Sequence, residues 1–355
     1  MPSSCLWPTA SCILPSDVFW VTGGLTAAMG ELLDLVVVGA GPTGLACAIE
    51  ATRAGLNVLV IEKGCLVNSL FHYPAGMTFF TTRERLEIGD IPFASVNLKP
   101  TRAEALEYYR RAAEHYRLPV HYFERVLGVE GADGAFRVLT EARNGKGKSY
   151  ATRKVVLATG YYDLPNLLGI PGEDLPKVSH YYSEAHEFFG LKVAVIVGGN
   201  SATIAALDLC RHGAEVTMIV REPELSRHIK YWIRPDIENR IKEGSIKAFF
   251  QAELKEIAPG WVVIQHAGLG HQRIENDYVF ALTGYHPDFD LLRSVGIEVN
   301  PQTLRPACHP ETLESNVPGI YLAGVVIAGM DTNEIFIENG RFHSRQIVGD
   351  IRRKL

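Results

Sequence analysis

Three glycines closing an apolar run, Gly39, Gly41 and Gly44 in VVVGAGPTG, have the spacing GxGxxG. Such a turn handles phosphate with its backbone. The first glycine permits the tight bend, the second lets a pyrophosphate approach the main chain, and the third lets the next helix pack closely on the strand. Pro42 and Thr43 lie within that turn, and the helix after it offers its first N–H groups and positive dipole end to an anion. Roughly twenty residues on, Glu62, followed by Lys63, ends a second apolar run where a carboxylate can accept hydrogen bonds from ribose hydroxyls. These residues predict one dinucleotide site.

The chain repeats the arrangement at Gly198, Gly199, Asn200, Ser201 and Ala202. Aligning Gly41 with Gly199 places Ala202 at the third small position and Val197 where the first glycine belongs. A β-branched residue resists unusual backbone angles, so this second turn is expected to be altered. Arg221 occupies the place that Glu62 holds in the first motif. The reversed sign suits a 2′-phosphate, with Arg227, His228 and Lys230 as helpers, and favours NADPH over NADH. The competing reading of these cations is a solvated loop.

The elements that must position these residues follow from periodicity. Leu35–Val38 and Asn57–Ile61 read as strands buried on both faces, joined by a helix from Leu45 to about Arg53 with Gly55 as its cap. In the repeat, KVAVIV (192–197), TIAALDLCRHG and EVTMIV supply strand, helix and strand. The order implies an α/β fold with two Rossmann-like three-layer dinucleotide-binding domains, one for FAD and one for NAD(P). Two apolar runs, VVLATG (155–160, with Thr159 and Gly160) and VFALTGYHP (279–287), bracket the second motif and resemble the crossings of two-dinucleotide-binding flavoproteins. An FAD-binding domain of 29–162 and 285–355, interrupted by an NADPH-binding domain of 163–284, is expected. NVPGIYLAGVV (316–326) resembles the late strand where such proteins carry Gly-Asp for the flavin ribityl chain. Here Gly324 precedes Val325, and a helix from about Asn333 is expected to compensate.

Composition excludes several function classes. The net charge is −5 and the basic residues are scattered, so no nucleic-acid partner is expected. No run is long and apolar enough to suggest a membrane span. Cys5, Cys12, Cys47, Cys65, Cys210 and Cys308 include no CxxC and no metal-ligand spacing, which predicts no metal site and suits reduced thiols in the cytoplasm. Residues 1–28 carry one charge, Asp17, and no basic n-region. They are expected to be disordered or non-native, with Met29 as the true start; a targeting segment is the alternative.

From Met29 onward the chain resembles the YpdA-type family of bacillithiol-disulfide reductases, which are thioredoxin-reductase-like flavoproteins. The resemblance is carried by EKGCLVNSLFHYPAGMTFFTT, IPFASVNLKPTRAEALEYYRR, SRHIKYWIRPDIENRIKEGSIK, ALTGYHPDFDLL and AGMDTNEIFIENGRFH. It implies FAD, NADPH and reduction of a low-molecular-weight thiol disulfide in the cytoplasm. Members of that family carry a cysteine before the last glycine of the FAD motif, proposed as their reactive thiol, where this chain has Thr43. The CxxC of thioredoxin reductases is missing too, and the CxxxxC of glutathione-reductase-like enzymes fails because position 70 is Leu70.

No catalytic side chain is assigned on this basis. Cys47 reads first as core packing and Cys65, after the strand-end acid, as a partly accessible thiol, and neither is expected to be catalytic, which leaves direct transfer from flavin, or a different acceptor, as the expectation. His72, Tyr73 and Phe79 line either the flavin pocket or a loop core. Glu334, Glu338 and Asn339 are expected on a helix whose N-terminus faces the flavin or, equally, on a polar surface. His180, Tyr181 and Tyr182 contact a ring or substrate, or simply pack. Alternative functions are a flavin monooxygenase, a ferredoxin or flavodoxin reductase, and a redox-silent nucleotide sensor. Assembly into a homo-oligomer stays open.

Overall fold

The computed structural model describes residues 32–197 and 199–355, so the expectations for residues 1–28 and for Gly198 lie outside the described residues. LDLVVV lacks polar alternation and needs cover on both faces. As β1 (Leu33–Val38) it obtains that cover, with Leu35, Val36 and Val37 fully buried. It pairs in parallel with β2 (Val58–Ile61), Val36 opposite Leu59, and with the end of β6 (Gly147–Leu157), Val36 opposite Val155. β3 (Val120–His121) extends the sheet beyond β2, and β15 (Ile320–Leu322) pairs in parallel with β6. β4 (Glu124–Ala132) and β5 (Ala135–Ala142) form an antiparallel ribbon on the first half of β6, completing seven strands.

A second parallel sheet has the order β10-β9-β8-β14-β7, built from β7 (Val178–Ser179), β8 (Lys192–Val197), β9 (Glu215–Ile219), β10 (Lys247–Phe249) and β14 (Tyr278–Leu282). Between β10 and β14 the chain forms an antiparallel sheet of β11 (Ala252–Ala258), β12 (Trp261–His266) and β13 (Gly270–Glu275). The chain thus leaves the first sheet after β6 and returns to it with β15.

The helices are α1 (Pro42–Arg53), α2 (Asn68–Phe71), α3 (Arg102–His115), α4 (Asn200–Arg211), α5 (Arg234–Lys242), α6 (Phe289–Ser294), α7 (Ile337–Gly340) and α8 (His343–Lys354). One face of the first sheet packs on α1, α3 and α8, around Ile49, Tyr109 and Ile347. The other packs Val36 and Val155 against the β4–β5 ribbon and α6, through Val138 and Leu292. The second sheet is sandwiched likewise, with α4 and α5 on one side and the β11–β13 sheet on the other. Each half therefore has three layers.

The structure modifies the sequence expectations at element ends. α1 begins at Pro42 rather than Leu45, because proline at the first helical position loses no hydrogen bond and has its φ preset. The late strand is only Ile320–Leu322; a 3-10 turn over Gly324–Ala328 follows, entered through Gly324 at φ +81°. The helix expected from Asn333 starts four residues later, at Ile337. Asn339 explains the delay: its Oδ1 accepts the Phe336 N–H (2.8 Å) and its Nδ2 donates to the Glu334 carbonyl (3.0 Å), fixing the loop before the helix. No helix among the described residues is long and apolar enough to cross a membrane.

Candidate functional site

Both glycine turns open into one cavity of about 1110 Å³, above the 300–1,000 Å³ of a usual small-molecule site. Its wall includes Gly39, Gly41, Pro42 and Thr43 at one end and Gly199, Asn200 and Ser201 at the other. Gly39 has φ +105°, and a Cβ there would lie 2.5 Å from the Ala158 carbonyl oxygen. Gly44 is tighter still, its added Cβ falling 2.0 Å from the Gly39 oxygen. Gly41 is the opposite case: a Cβ would meet no protein atom within 4 Å, because its Cα faces the open cavity before α1. No side chain caps α1, so its first-turn N–H groups are left for an anion.

Glu62 is buried at the end of β2, where its Oε2 accepts the Ala40 N–H (2.7 Å) and its Oε1 the Gly64 N–H (2.8 Å). Burial pushes its pKa up, against the pull of those two bonds. Each oxygen keeps a lone pair for a ribose hydroxyl. Lys63 pairs with Asp163 at 2.9 Å across the cavity edge. The Thr159 hydroxyl is buried in the wall without a protein hydrogen-bond partner, and Gly160 follows it along the wall. Gly324 and Val325 complete this end, and the Gly324 N–H donates to His343 Nδ1 (3.1 Å). Burial lowers the His343 pKa, consistent with a neutral ring accepting that bond. Uncapped donors, an orphaned hydroxyl and a satisfied buried acid fit the phosphates and ribose of a dinucleotide.

At the second turn Gly199 has extended backbone, φ 179°, and again nothing within 4 Å of an added Cβ. Ala202 is fully buried inside the α4 packing, so a methyl is accommodated where the first motif needs Gly44. Val197 is the last residue of β8, paired with Leu282; the strand runs on through the position that is a bend at Gly39. Asn200 ties the turn to the next loop, its Oδ1 accepting the Lys230 N–H (2.9 Å) and its Nδ2 donating to the His228 carbonyl (3.1 Å). His228 and Lys230 line the cavity; Arg221 stands off its wall, exposed, 3.4 Å from Glu222. Arg211, which sequence reasoning did not single out, lines the cavity from the last turn of α4 and pairs with Asp236.

Five tyrosines from four segments meet where the halves join. Tyr162 lies 4.9 Å from Tyr73, 5.4 Å from Tyr181 and 4.5 Å from Tyr285 between ring centroids, and Tyr285 stacks on Tyr181 at 5.2 Å. Tyr161 reaches the cluster edge-on to Tyr285. Burial pushes the pKa values of Tyr181 and Tyr285 up to about 12, so these phenols stay protonated. Tyr73 and Phe79 line the cavity, whereas the exposed His72 turns its Nδ1 to the Asn68 carbonyl. Tyr182 donates to Asp208. His180 packs away from the wall, between Glu173 (3.4 Å) and the Ala281 carbonyl (3.1 Å). Glu334 faces outward in an ion pair with Arg305, while Glu338 lines the cavity.

None of the four described cysteines lines the cavity. Cys47 is fully buried in the α1 core, and burial, with Glu50 nearby, raises its pKa to about 12. Cys65, also raised by burial, contacts Asn68. Thr43 does face the cavity, in a slot made by two glycines: a Cβ on Gly324 or Gly340 would come 3.2 Å from its Oγ1. Among the described residues no group of three His, Cys, Asp or Glu side chains is placed to hold a metal ion.

Comparison with known proteins gives concordant matches. Residues 36–324 match the family described as pyridine nucleotide-disulphide oxidoreductase. The bacilliredoxin reductase Bdr of Bacillus subtilis is 44% identical over 319 residues, covering 90% of this chain and 97% of that protein. The solved bacillithiol disulfide reductase Bdr (YpdA) of Bacillus cereus superposes with a TM-score of 0.89 at 43% identity, over 92% of this chain and all of that one. Its Staphylococcus aureus counterpart gives 0.86 at 41% identity, over 92% and 99%.

Proposed function

Because the chain belongs to the pyridine nucleotide-disulphide oxidoreductase family, we propose that it is an FAD-containing reductase. It uses NADPH to reduce a low-molecular-weight thiol disulfide of the bacillithiol type. The balance is NADPH + H⁺ + RSSR → NADP⁺ + 2 RSH. One observation carries the reading: a single cavity runs from the Gly39–Gly41 turn to the Gly199–Ser201 turn. FAD and NADPH, when bound, supply hydride transfer and a two-electron store.

The residues divide the work. Gly39, Gly41, Pro42, Thr43 and Gly44 form the phosphate turn of an FAD unit spanning 29–162 and 285–355, with Glu62 on the ribose and Lys63 and Thr159–Gly160 beside it. Gly324 and Val325 offer backbone groups where related flavoproteins offer an aspartate, and His343 fixes that backbone by accepting the Gly324 N–H. In the unit spanning 163–284, Gly198, Gly199, Asn200, Ser201 and Ala202 hold NADPH. Lys230 and His228 stand ready for its extra phosphate from the wall, and Arg221 from outside. The protonated tyrosines keep water and stray charge from the junction between the units. The wall offers no described thiol for a mixed disulfide with the acceptor, so the acceptor disulfide is reduced inside the cavity without covalent attachment to Cys47 or Cys65.

This chemistry belongs with reduced thiols in a cytoplasm. The relatives' names supply two acceptors of one kind, a small disulfide and the bacilliredoxin protein. The alternatives of monooxygenase, ferredoxin reductase and sensor are not favoured by these relatives. The test is spectroscopic. Purified protein is expected to be yellow, to bleach anaerobically with NADPH and to recover its colour on adding bacillithiol disulfide. Colourless protein that takes up no flavin, or reduced protein that ignores every thiol disulfide, overturns the reading.

A further inference from the structure

Two loops meet at the cavity mouth, one from each half. Phe80 and Trp232 touch edge to face, with centroids 5.7 Å apart and both rings on the wall. Lys99 Nζ sits 4.8 Å from the Trp232 centroid and Lys230 Nζ 5.9 Å from that of Phe80. The Phe80 loop is held by backbone bonds from Phe79 N–H to the Pro100 carbonyl and from Arg83 N–H to the Leu98 carbonyl, so Lys99 is braced rather than free. Around this contact large apolar groups stand in solvent: Tyr231 is 81% exposed, Leu98 62% and Trp232 43%. Soluble surfaces seldom leave such aromatics uncovered without a use, and tyrosine and tryptophan are the residues that anchor protein interfaces.

The charges at this rim are uneven. Arg211, Arg227 and Arg234 are each paired with a carboxylate, Asp236, Glu224 and Glu238. Lys99 and Lys230 form no ion pair among the described residues; Lys230 faces the cavity and its nucleotide, which leaves Lys99 as an unneutralised cation amid the aromatics on a chain of net charge −5. An acidic partner is repelled by the molecule as a whole and drawn to this rim, which orients it toward the opening. Tyr231, Leu98 and Lys99 lie outside the cavity wall, where a disulfide held within the cavity does not reach them.

We propose that this rim is the docking surface for a small acidic disulfide protein, which seats apolar groups on Tyr231 and Leu98 and sets a carboxylate against Lys99. It thereby presents its disulfide to the opening. This rests on the disulfide-reductase reading above. The probes are the holoenzyme, NADPH, an oxidised bacilliredoxin of net negative charge, and bacillithiol disulfide as the small acceptor. Lys99→Glu and Tyr231→Ala change exposed residues outside the cavity. Each is expected to raise KM for the protein acceptor about tenfold and to leave turnover of the small acceptor unchanged. Lys99→Glu is also expected to flatten the fall of kcat/KM with ionic strength. Unaltered KM in both variants, or a wild-type enzyme that reduces the small disulfide but not the protein, overturns the docking surface alone. A wild-type enzyme that reduces neither overturns the reductase reading and the surface with it.

Discussion

The two glycine turns look alike in sequence and differ in what makes them turn. The first is a constriction: Gly39 lies at φ +105° against the Ala158 carbonyl, and Gly44 has no room for a methyl beside Gly39. The second is open: β8 continues through Val197, Gly199 is extended, and Ala202 carries its methyl into the α4 core without conflict. The acids and bases at the strand ends repeat the contrast. Glu62 is buried and doubly bonded, while Arg221 is exposed beside one glutamate. A resident cofactor suits a rigid turn with a preset acid. One that enters and leaves each cycle suits a looser turn with mobile cations.

Substitution should separate the turns most sharply at the glycines. Gly44→Ala must push the Gly39 carbonyl aside and is expected to cost about 3 kcal/mol, seen as a lower melting midpoint and lost flavin. Gly199→Ala should melt like wild type and show only a raised KM for NADPH. Equal damage from the two would remove the distinction. Glu62→Gln comes next: an amide nitrogen cannot accept the N–H that one carboxylate oxygen now takes, at about 1–3 kcal/mol, readable as weaker flavin retention. Arg221→Ala should produce only a several-fold rise in KM for NADPH, with NADH unaffected.

Smaller effects probe the rear of the first site. The His343 pKa lies below its ordinary value, so the folded state binds its proton less readily than the unfolded chain does. Its contribution to stability is complete above that ordinary value, near 6.5, and declines as the pH falls below it. Flavin retention, followed by fluorescence release, should therefore weaken toward pH 5, and His343→Gln should flatten that dependence; an unchanged profile would assign the loss elsewhere. The smallest effect is expected at the thiols: Cys65→Ser should leave reductase turnover unaltered, and a dead variant would restore a thiol relay.

What the chain disclosed in advance is local. Glycine spacing, uninterrupted β-branched runs and the strand-end acid act over a few residues, and the first half bends at Gly39, where the spacing put the turn. What stayed hidden is long-range. The tyrosine cluster joins positions 73, 161, 162, 181 and 285, none of which marks the others in the sequence. His180 and Glu334 had the chemistry for a site, yet Glu173 and Arg305 claim them. The placement of Asn339, which delays the last site helix, depends on a carbonyl five residues back. The same applies to Arg211, which reaches the cavity only because α4 is three turns long.

The knot of phenol rings has a mechanical consequence. Both covalent links between the halves run through it, so a pivot of one half against the other must part the two pairs that Tyr181 makes with Tyr162 and Tyr285, each worth about 0.5–1.5 kcal/mol. None of the described cysteines lines the cavity, so no swing is required to carry one of those thiols to it. Small-angle scattering should accordingly give the same molecular envelope before and after NADPH is added.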